Sequence, residues 1–295
     1  MQPNLSYPPP PRRSEQLTPP SKTEGKTAPH WRVQDIDFSA IDRAAVQGNE
    51  DLFFLLTSAS FIETGSDTYA VNLAEHFAAW PEIASWLSAQ WEGEELQHGT
   101  ALRAYVEAVW PAFPWQQAYD SFFAEYSQLC TVEELDPDPR LELVARCVVE
   151  TGTTAYYHTL RELSDEPVLS QLLGNIRNDE VNHFKHFLKF FKEMQNESPV
   201  GRARIAKALY RRLKELRESD TEIALRHVWG HKGRYFKGSA TTFEGMAQRI
   251  YELISRSLPA DLAVRMLLKP MLLPPRVEGL IRTPICRLAT RVMSY

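Results

Sequence analysis

Cysteine is scarce in this 295-residue sequence: Cys130, Cys147 and Cys286 stand far apart and form no CxxC pair. That scarcity excludes a disulfide framework, a cysteine-rich zinc site and a rubredoxin-type centre, and it fits a reducing compartment. Long apolar runs are missing too. No stretch approaches the roughly 18 consecutive apolar residues that a spanning helix requires, so an ordinary transmembrane protein is excluded. The amino terminus, MQPNLSYPPPPRRSEQ, has no apolar core of the kind a secretory signal carries. A cytoplasmic protein is expected. Absent as well are a GxGxxG nucleotide fingerprint, a flavin signature and iron–sulfur cysteine spacing.

What is present begins with an uneven charge. The formal net charge is −5, but residues 1–30 carry +2, residues 31–199 carry −18 and residues 200–295 carry +11. The first thirty residues hold eight of the 20 prolines and almost no large apolar side chains, a disordered tail by composition. From about 38 to 196 apolar residues recur at spacings of three and four, without the alternation of strands. The expected organisation is a Pro-rich tail (1–30), an all-α bundle (31–199) and a basic helical extension (200–295) packing on it. Pro81 and Pro167 each fall between two long helical runs, where proline suits the first turn of a new helix. Each should mark a tight link between antiparallel helices. A shorter helix, about 114–130, should join the two hairpins, and further helices are expected at about 200–218 and 241–257, followed by a Pro-interrupted basic tail.

The two hairpins repeat one another at residues with metal chemistry. ETGSDTY begins at Glu63 and ETGTTAY at Glu150; after each proline comes a Glu-x-x-His, Glu95 with His98 and Glu180 with His183. Glu63 lies 18 residues before Pro81, with Glu95 and His98 14 and 17 after it; Glu150 lies 17 before Pro167, with Glu180 and His183 13 and 16 after it. With a rise of about 1.5 Å per residue, each outgoing Glu comes level with its returning Glu-x-x-His. Within each of those motifs the i, i+3 spacing puts both groups on one helix face.

Four carboxylates and two imidazoles in one buried layer would be costly as bare charges. Two divalent cations resolve that cost, and this donor set is the four-helix-bundle arrangement for di-iron or di-manganese carboxylate sites. Glu63 and Glu150 are assigned as terminal ligands, Glu95 and Glu180 as bridges, and His98 and His183 as one nitrogen ligand per metal. Glu94 and Asp179, each preceding a bridging Glu, are candidates to accept the outer N–H of a ligand histidine, within their own helix or across the bundle. Gly65 and Gly152, in mid-helix beside a ligand, suggest close helix approach or room for substrate.

WEGEELQHGTALRAY, from Trp91 to Tyr105, resembles the second ligand helix of the soluble acyl-carrier-protein (acyl-ACP) desaturases, W-x-x-E-E-x-x-H-G-x-x-L-x-x-Y. ETGSDTY, ETGT at Glu150 and NDEVNHF resemble the other ligand motifs of that family, in the same order, over roughly residues 50–195. The resemblance implies a ferritin-like four-helix bundle with additional helices and two iron ions, manganese being an alternative. It also implies O2-dependent attack on an unactivated C–H bond, by desaturation or hydroxylation of a carrier-bound acyl chain. Thr153 matches the family threonine near the metals and is the candidate to give a hydrogen bond or proton to bound oxygen. Tyr69 and Tyr156, at equivalent repeat positions, are candidates to line a substrate channel, as are several phenylalanines including Phe61 and Phe187.

The implied partners are acyl carrier protein or acyl-CoA, and an external electron donor such as ferredoxin with its reductase. The stretch from Arg202 to Lys214 suggests a docking face for an acidic carrier, against packing on the acidic bundle. Nucleic acid is not expected, peripheral membrane contact by the 263–291 tail is a weaker option, and a homodimer is compatible with the sequence. Two other functions share the ligand set: N-oxygenation or hydroxylation of a small substrate, and ferritin-like iron storage or peroxide detoxification.

Overall fold

A computed structural model describes residues 30–215, 220–233, 235–236 and 242–293. The Pro-rich tail therefore lies outside the described residues up to position 29. The described residues form helices and connecting turns without strands.

A one-turn helix α1 (Arg43–Val46) leads into α2 (Glu50–Thr64), which Asn49 caps by accepting the Leu52 N–H. α3 (Ser66–His76) follows after Gly65 alone, and α4 (Pro81–Trp86), a π-helical turn (Leu87–Trp91) and α5 (Glu92–Val109) return along it. The second hairpin is α7 (Pro139–Glu162) and α8 (Pro167–Glu197), reached through α6 (Trp115–Tyr126). Pro81, Pro139 and Pro167 all stand in a first helical turn, where a missing N–H costs nothing. Glu166 caps α8 through the Val168 and Leu169 N–H groups, and its buried carboxylate also accepts from the Tyr105 hydroxyl at 3.1 Å. One side chain thus starts α8 and ties it to α5.

Two apolar clusters fill the bundle, with the predicted ligand layer between them. One cluster holds Leu52–Phe61 of α2, Ala101–Val109 of α5, Tyr157 and Leu160 of α7, and Val168–Ile176 of α8. The other holds Ala70–Phe77 of α3, Ile83–Trp91, Leu141–Val148 of α7 and Phe184–Met194 of α8. The order in which each helix passes from one cluster to the other makes α5 and α7 parallel, while each hairpin is antiparallel. A long crossover containing α6 makes this possible, as in ferritin-like bundles. The phenylalanines considered as channel walls are divided between these cores, Phe53, Phe54 and Phe61 in one and Phe184, Phe187, Phe190 and Phe191 in the other.

One expectation needs correction. Gly65 is not in mid-helix: it ends α2, its N–H bonding to Phe61 and Ile62 carbonyls, and a Cβ there would come within 3.1 Å of the Tyr126 ring. The Pro-interrupted tail beyond 257 holds α12 (Ala260–Leu268) and α13 (Pro275–Met293), with Pro284 inside α13. The remaining helices are α9 (Arg202–Glu215), α10 (Asp220–His231) and α11 (Phe243–Ser257). α10, which the sequence pattern did not suggest, packs on α2 and α6.

Several arginines of the basic segment are engaged by the protein itself. Arg204 pairs with Asp138 at 3.0 Å, Arg211 with Asp136 at 2.6 Å, and Arg212 stands 3.8 Å from Glu142. Arg202 donates to the carbonyls of Met271 and Leu272. α9 therefore packs on the acidic bundle, with Lys207 and Lys214 exposed and Arg202, Arg204 and Arg211 still partly open to solvent beside their partners.

Candidate metal centre

The six side chains singled out by the repeat meet in one layer, all buried. Glu63, Glu95, His98 and Glu180 form one tetrad; Glu95, Glu150, Glu180 and His183 form the other. In each, the four donor atoms lie within 4.8 Å of one another, a spread suited to one first-row cation about 2.1 Å from each donor. Glu95 and Glu180 belong to both tetrads, as bridging carboxylates must.

Backbone geometry delivers these groups from four helices. Glu63 stands two residues before the break at Gly65. The π-helical turn Leu87–Trp91 directly precedes α5, adding a residue to the local turn and setting the rotational phase in which Glu95 and His98 face inward; such π-helical bulges are frequent at functional sites. Gly99 permits the close contact of α5 with α2, because a Cβ on it would lie 2.6 Å from the Thr64 backbone nitrogen and 2.8 Å from its Cα.

Each imidazole is held from behind by the other hairpin. His98 Nε2 lies 3.1 Å from Asp179 Oδ2, and His183 Nε2 lies 2.8 Å from Glu94 Oε2. Carboxylates at Nε2 fix the proton there and leave Nδ1 of each ring aimed into the layer. His98 Nδ1 is 3.3 Å from Glu180 Oε1 and 3.5 Å from Glu95 Oε2; His183 Nδ1 is 3.2 Å from Glu95 Oε1 and 3.6 Å from Glu150 Oε2. Both Nδ1 atoms, Glu150 Oε2 and Glu180 Oε1 are buried without a hydrogen bond of good geometry. Convergent orphaned donors of this kind fit cations and fit little else.

Electrostatics agree. Burial, followed by the Glu95 charge, pushes the Glu63 carboxyl up to about 7, and burial also raises Glu150 and Glu180. At Glu95 burial is outweighed by the hydrogen bonds of His183 and His98, which hold it below the usual range. Burial opposes charge on His98 and His183, yet the surrounding carboxylates raise both well above an ordinary imidazole. In the metal-free protein protons take the place that cations would fill.

The Thr153 hydroxyl lies 2.5 Å from Glu180 Oε2 and also reaches its own helix carbonyls. Tyr156 donates to the Leu55 carbonyl at 2.9 Å, and Tyr69 lies under the Arg146 guanidinium near Glu142, so neither hydroxyl touches the tetrads. Tyr157 does, donating to Glu63 Oε1. Tyr157 has no counterpart in the first hairpin, where Ala70 stands, so the repeat gave no signal for it.

Trp31 also escaped the sequence reading. Its indole N–H donates to Asp179 Oδ2 at 2.6 Å, and its ring stacks over His98 at 6.2 Å. Gln97 donates to its backbone carbonyl. It sits just beyond a Pro-rich tail, outside any helical repeat, and its aromatic character was the only signal. With Trp86 and Trp91, both edge-on to His183, it makes an aromatic collar around the two buried histidines.

No protein-family profile matches the chain, and no curated protein sequence matches it. Solved structures do. One is an R2-like ligand-binding oxidase variant with an aerobically reconstituted Fe/Fe cofactor, 16% identical with a TM-score of 0.50, covering 89% of this chain and 88% of its own. Another variant, with an aerobically reconstituted Mn/Fe cofactor, gives the same identity, coverage and TM-score. At that identity the likeness is one of fold. The chain has the ferritin-like helical fold, and the two tetrads lie between its apolar cores.

Proposed function

We propose that the protein holds two transition-metal ions, both iron or one manganese and one iron, and uses O2 to oxidise an unactivated C–H bond of a fatty acyl group by desaturation or hydroxylation. The observation that carries this reading is the pair of buried tetrads sharing Glu95 and Glu180, with orphaned donor atoms converging on two positions. Structures of the same fold carry Fe/Fe or Mn/Fe cofactors, and the motif from Trp91 to Tyr105 resembles the acyl-ACP desaturases. Oxygen donors with one nitrogen per position suit iron and manganese rather than a closed zinc site.

When bound, such a metal pair supplies O2 activation and the two-electron oxidising power that no side chain has. The chain supplies the rest. Asp179 and Glu94 fix the Nε2 protons of His98 and His183 and so keep Nδ1 available. Thr153 carries a hydroxyl proton within reach of Glu180 Oε2, and Tyr157 steadies Glu63 in the same way. Trp31, Trp86 and Trp91 exclude water that would quench a reactive oxidant. Electrons come from an external donor of the ferredoxin type, and the acyl group arrives on acyl carrier protein or coenzyme A.

The test is anaerobic loading with Fe(II), alone or with Mn(II), followed by O2, an electron donor and a panel of acyl carriers. Two metals per chain and a loss of two mass units or a gain of 16 on the acyl chain are expected. Glu95→Ala and His183→Ala should each lower metal content. Clearly fewer than two metals per wild-type chain would overturn the metal assignment; two metals with no change in any acyl chain would overturn the substrate assignment.

A further inference from the structure

α13 packs on α12 and α11 yet leaves part of its apolar surface exposed. Its ties to the rest of the chain include polar ones: Glu278 pairs with Lys269 at 2.9 Å, and Arg282 stands 3.6 Å from Asp261 of α12. Val277, Leu280 and Pro284, spaced by three and four residues, share the opposite face. Leu280 is 76% exposed, the highest value among the large apolar side chains of the described residues, and Val277 is 41% exposed. Arg276 and Arg287, four residues before Leu280 and seven after it, fall on the same face and are exposed. Among residues 275–287 the sole acid is Glu278, neutralised by Lys269.

We propose that this face of α13 docks on an anionic lipid bilayer, with Leu280, Val277 and Pro284 entering the headgroup and acyl boundary while Arg276 and Arg287 meet lipid phosphates. Apolar side chains framed by guanidinium groups are the recognition chemistry of an interfacial helix. Charge argues for lipid over a second copy of the chain: a symmetric contact through this short stripe would crowd the same arginines together, whereas an anionic surface complements them. No described helix is long and apolar enough to span a membrane, so the contact is peripheral. It stands independently of the oxidase reading, because binding to vesicles requires neither metal nor turnover.

The experiment is sedimentation of the full-length protein with vesicles of phosphatidylcholine alone, or of phosphatidylcholine with phosphatidylglycerol, at low and high salt. Binding to the anionic vesicles is expected, weaker at high salt and slight on the neutral ones. Leu280→Asp should weaken it about tenfold or more, as should Arg276→Glu combined with Arg287→Glu, with helix content and melting temperature unchanged. No binding to anionic vesicles overturns the proposal. So does binding that survives both sets of substitutions, which would assign attachment to another basic part of the chain. A dimer that Leu280→Asp converts to monomer, without vesicle binding, would overturn it in favour of a contact between copies.

Discussion

Glu94 on α5 and His183 on α8 meet at 2.8 Å across the bundle, and the contact is reciprocated by Asp179 on α8 with His98 on α5 at 3.1 Å. Each hairpin therefore orients the histidine of the other. Removing one carboxylate frees an imidazole to rotate and to change tautomer. Glu94→Ala is expected to lower metal affinity roughly 10- to 100-fold with little change in helix content, measured by chelator competition alongside circular dichroism. Affinity equal to wild type would show that Glu94 does not position His183.

Gly99 is a position of contact, and Gly93, in the same helix, is not. A methyl group at 99 would strike the Thr64 backbone, whereas at 93 it would meet nothing within 4 Å. Gly99→Ala should destabilise by about 1–3 kcal/mol through forced separation of α2 and α5, and should lower metal content because Glu63 and His98 move apart. Gly93→Ala should be neutral or stabilising by up to about 1 kcal/mol. Thermal melts of the two variants side by side decide the point; equal melting temperatures would contradict it.

Glu166 carries several bonds at once. Truncation to Ala removes the cap of α8 and leaves the Tyr105 hydroxyl without its carboxylate partner in a buried position. The expected loss is about 2–3 kcal/mol, from a cap of about 1 kcal/mol and an unsatisfied buried hydroxyl of similar or larger cost. Urea unfolding measures it, and a loss under about 0.5 kcal/mol would refute the double role.

Loading the metals must release protons. His98 and His183 are raised well above ordinary imidazoles and Glu63 sits at about 7, so the metal-free layer is protonated near neutrality. Cations bind the deprotonated forms. Binding should therefore weaken as pH falls and liberate about two or more protons per chain near pH 7, seen by calorimetry in buffers of different ionisation enthalpy. A binding enthalpy independent of buffer would rule out this linkage. The same shifts fix the sign for the metal-free fold. Groups raised on folding contribute stability below their unfolded values and lose it as pH rises through the folded ones, so these groups make the empty bundle less stable toward alkaline pH.

The six residues of the two tetrads were legible from one dimension because an α-helix converts sequence distance into height at a fixed rise. Glu63, Glu95, His98, Glu150, Glu180 and His183 needed only that rise and two prolines to be placed in one layer. The helix starts at 81, 139 and 167 were equally local, set by proline and by capping carboxylates. Residues whose roles arise between segments were not legible. Whether Asp179 serves His183, four residues away on its own helix, or His98, 81 positions away, depends on how the hairpins face each other. The choice of Tyr157 over Tyr156 depends on the rotational phase of α7 against α2. The fate of the basic segment likewise hung on where α9 came to rest, beside Asp136, Asp138 and Glu142.

By itself, the sequence determined the helical class, the two hairpins, the donor set and its common level, since each follows from propensities and a periodicity that neighbouring residues enforce. Tertiary structure alone decided the crossed histidine partners, the tyrosine that reaches Glu63, the tryptophan that covers His98 and the pairing of the α9 arginines. Those contacts join residues tens of positions or more apart, and their geometry is fixed by packing between helices rather than by the rise within one.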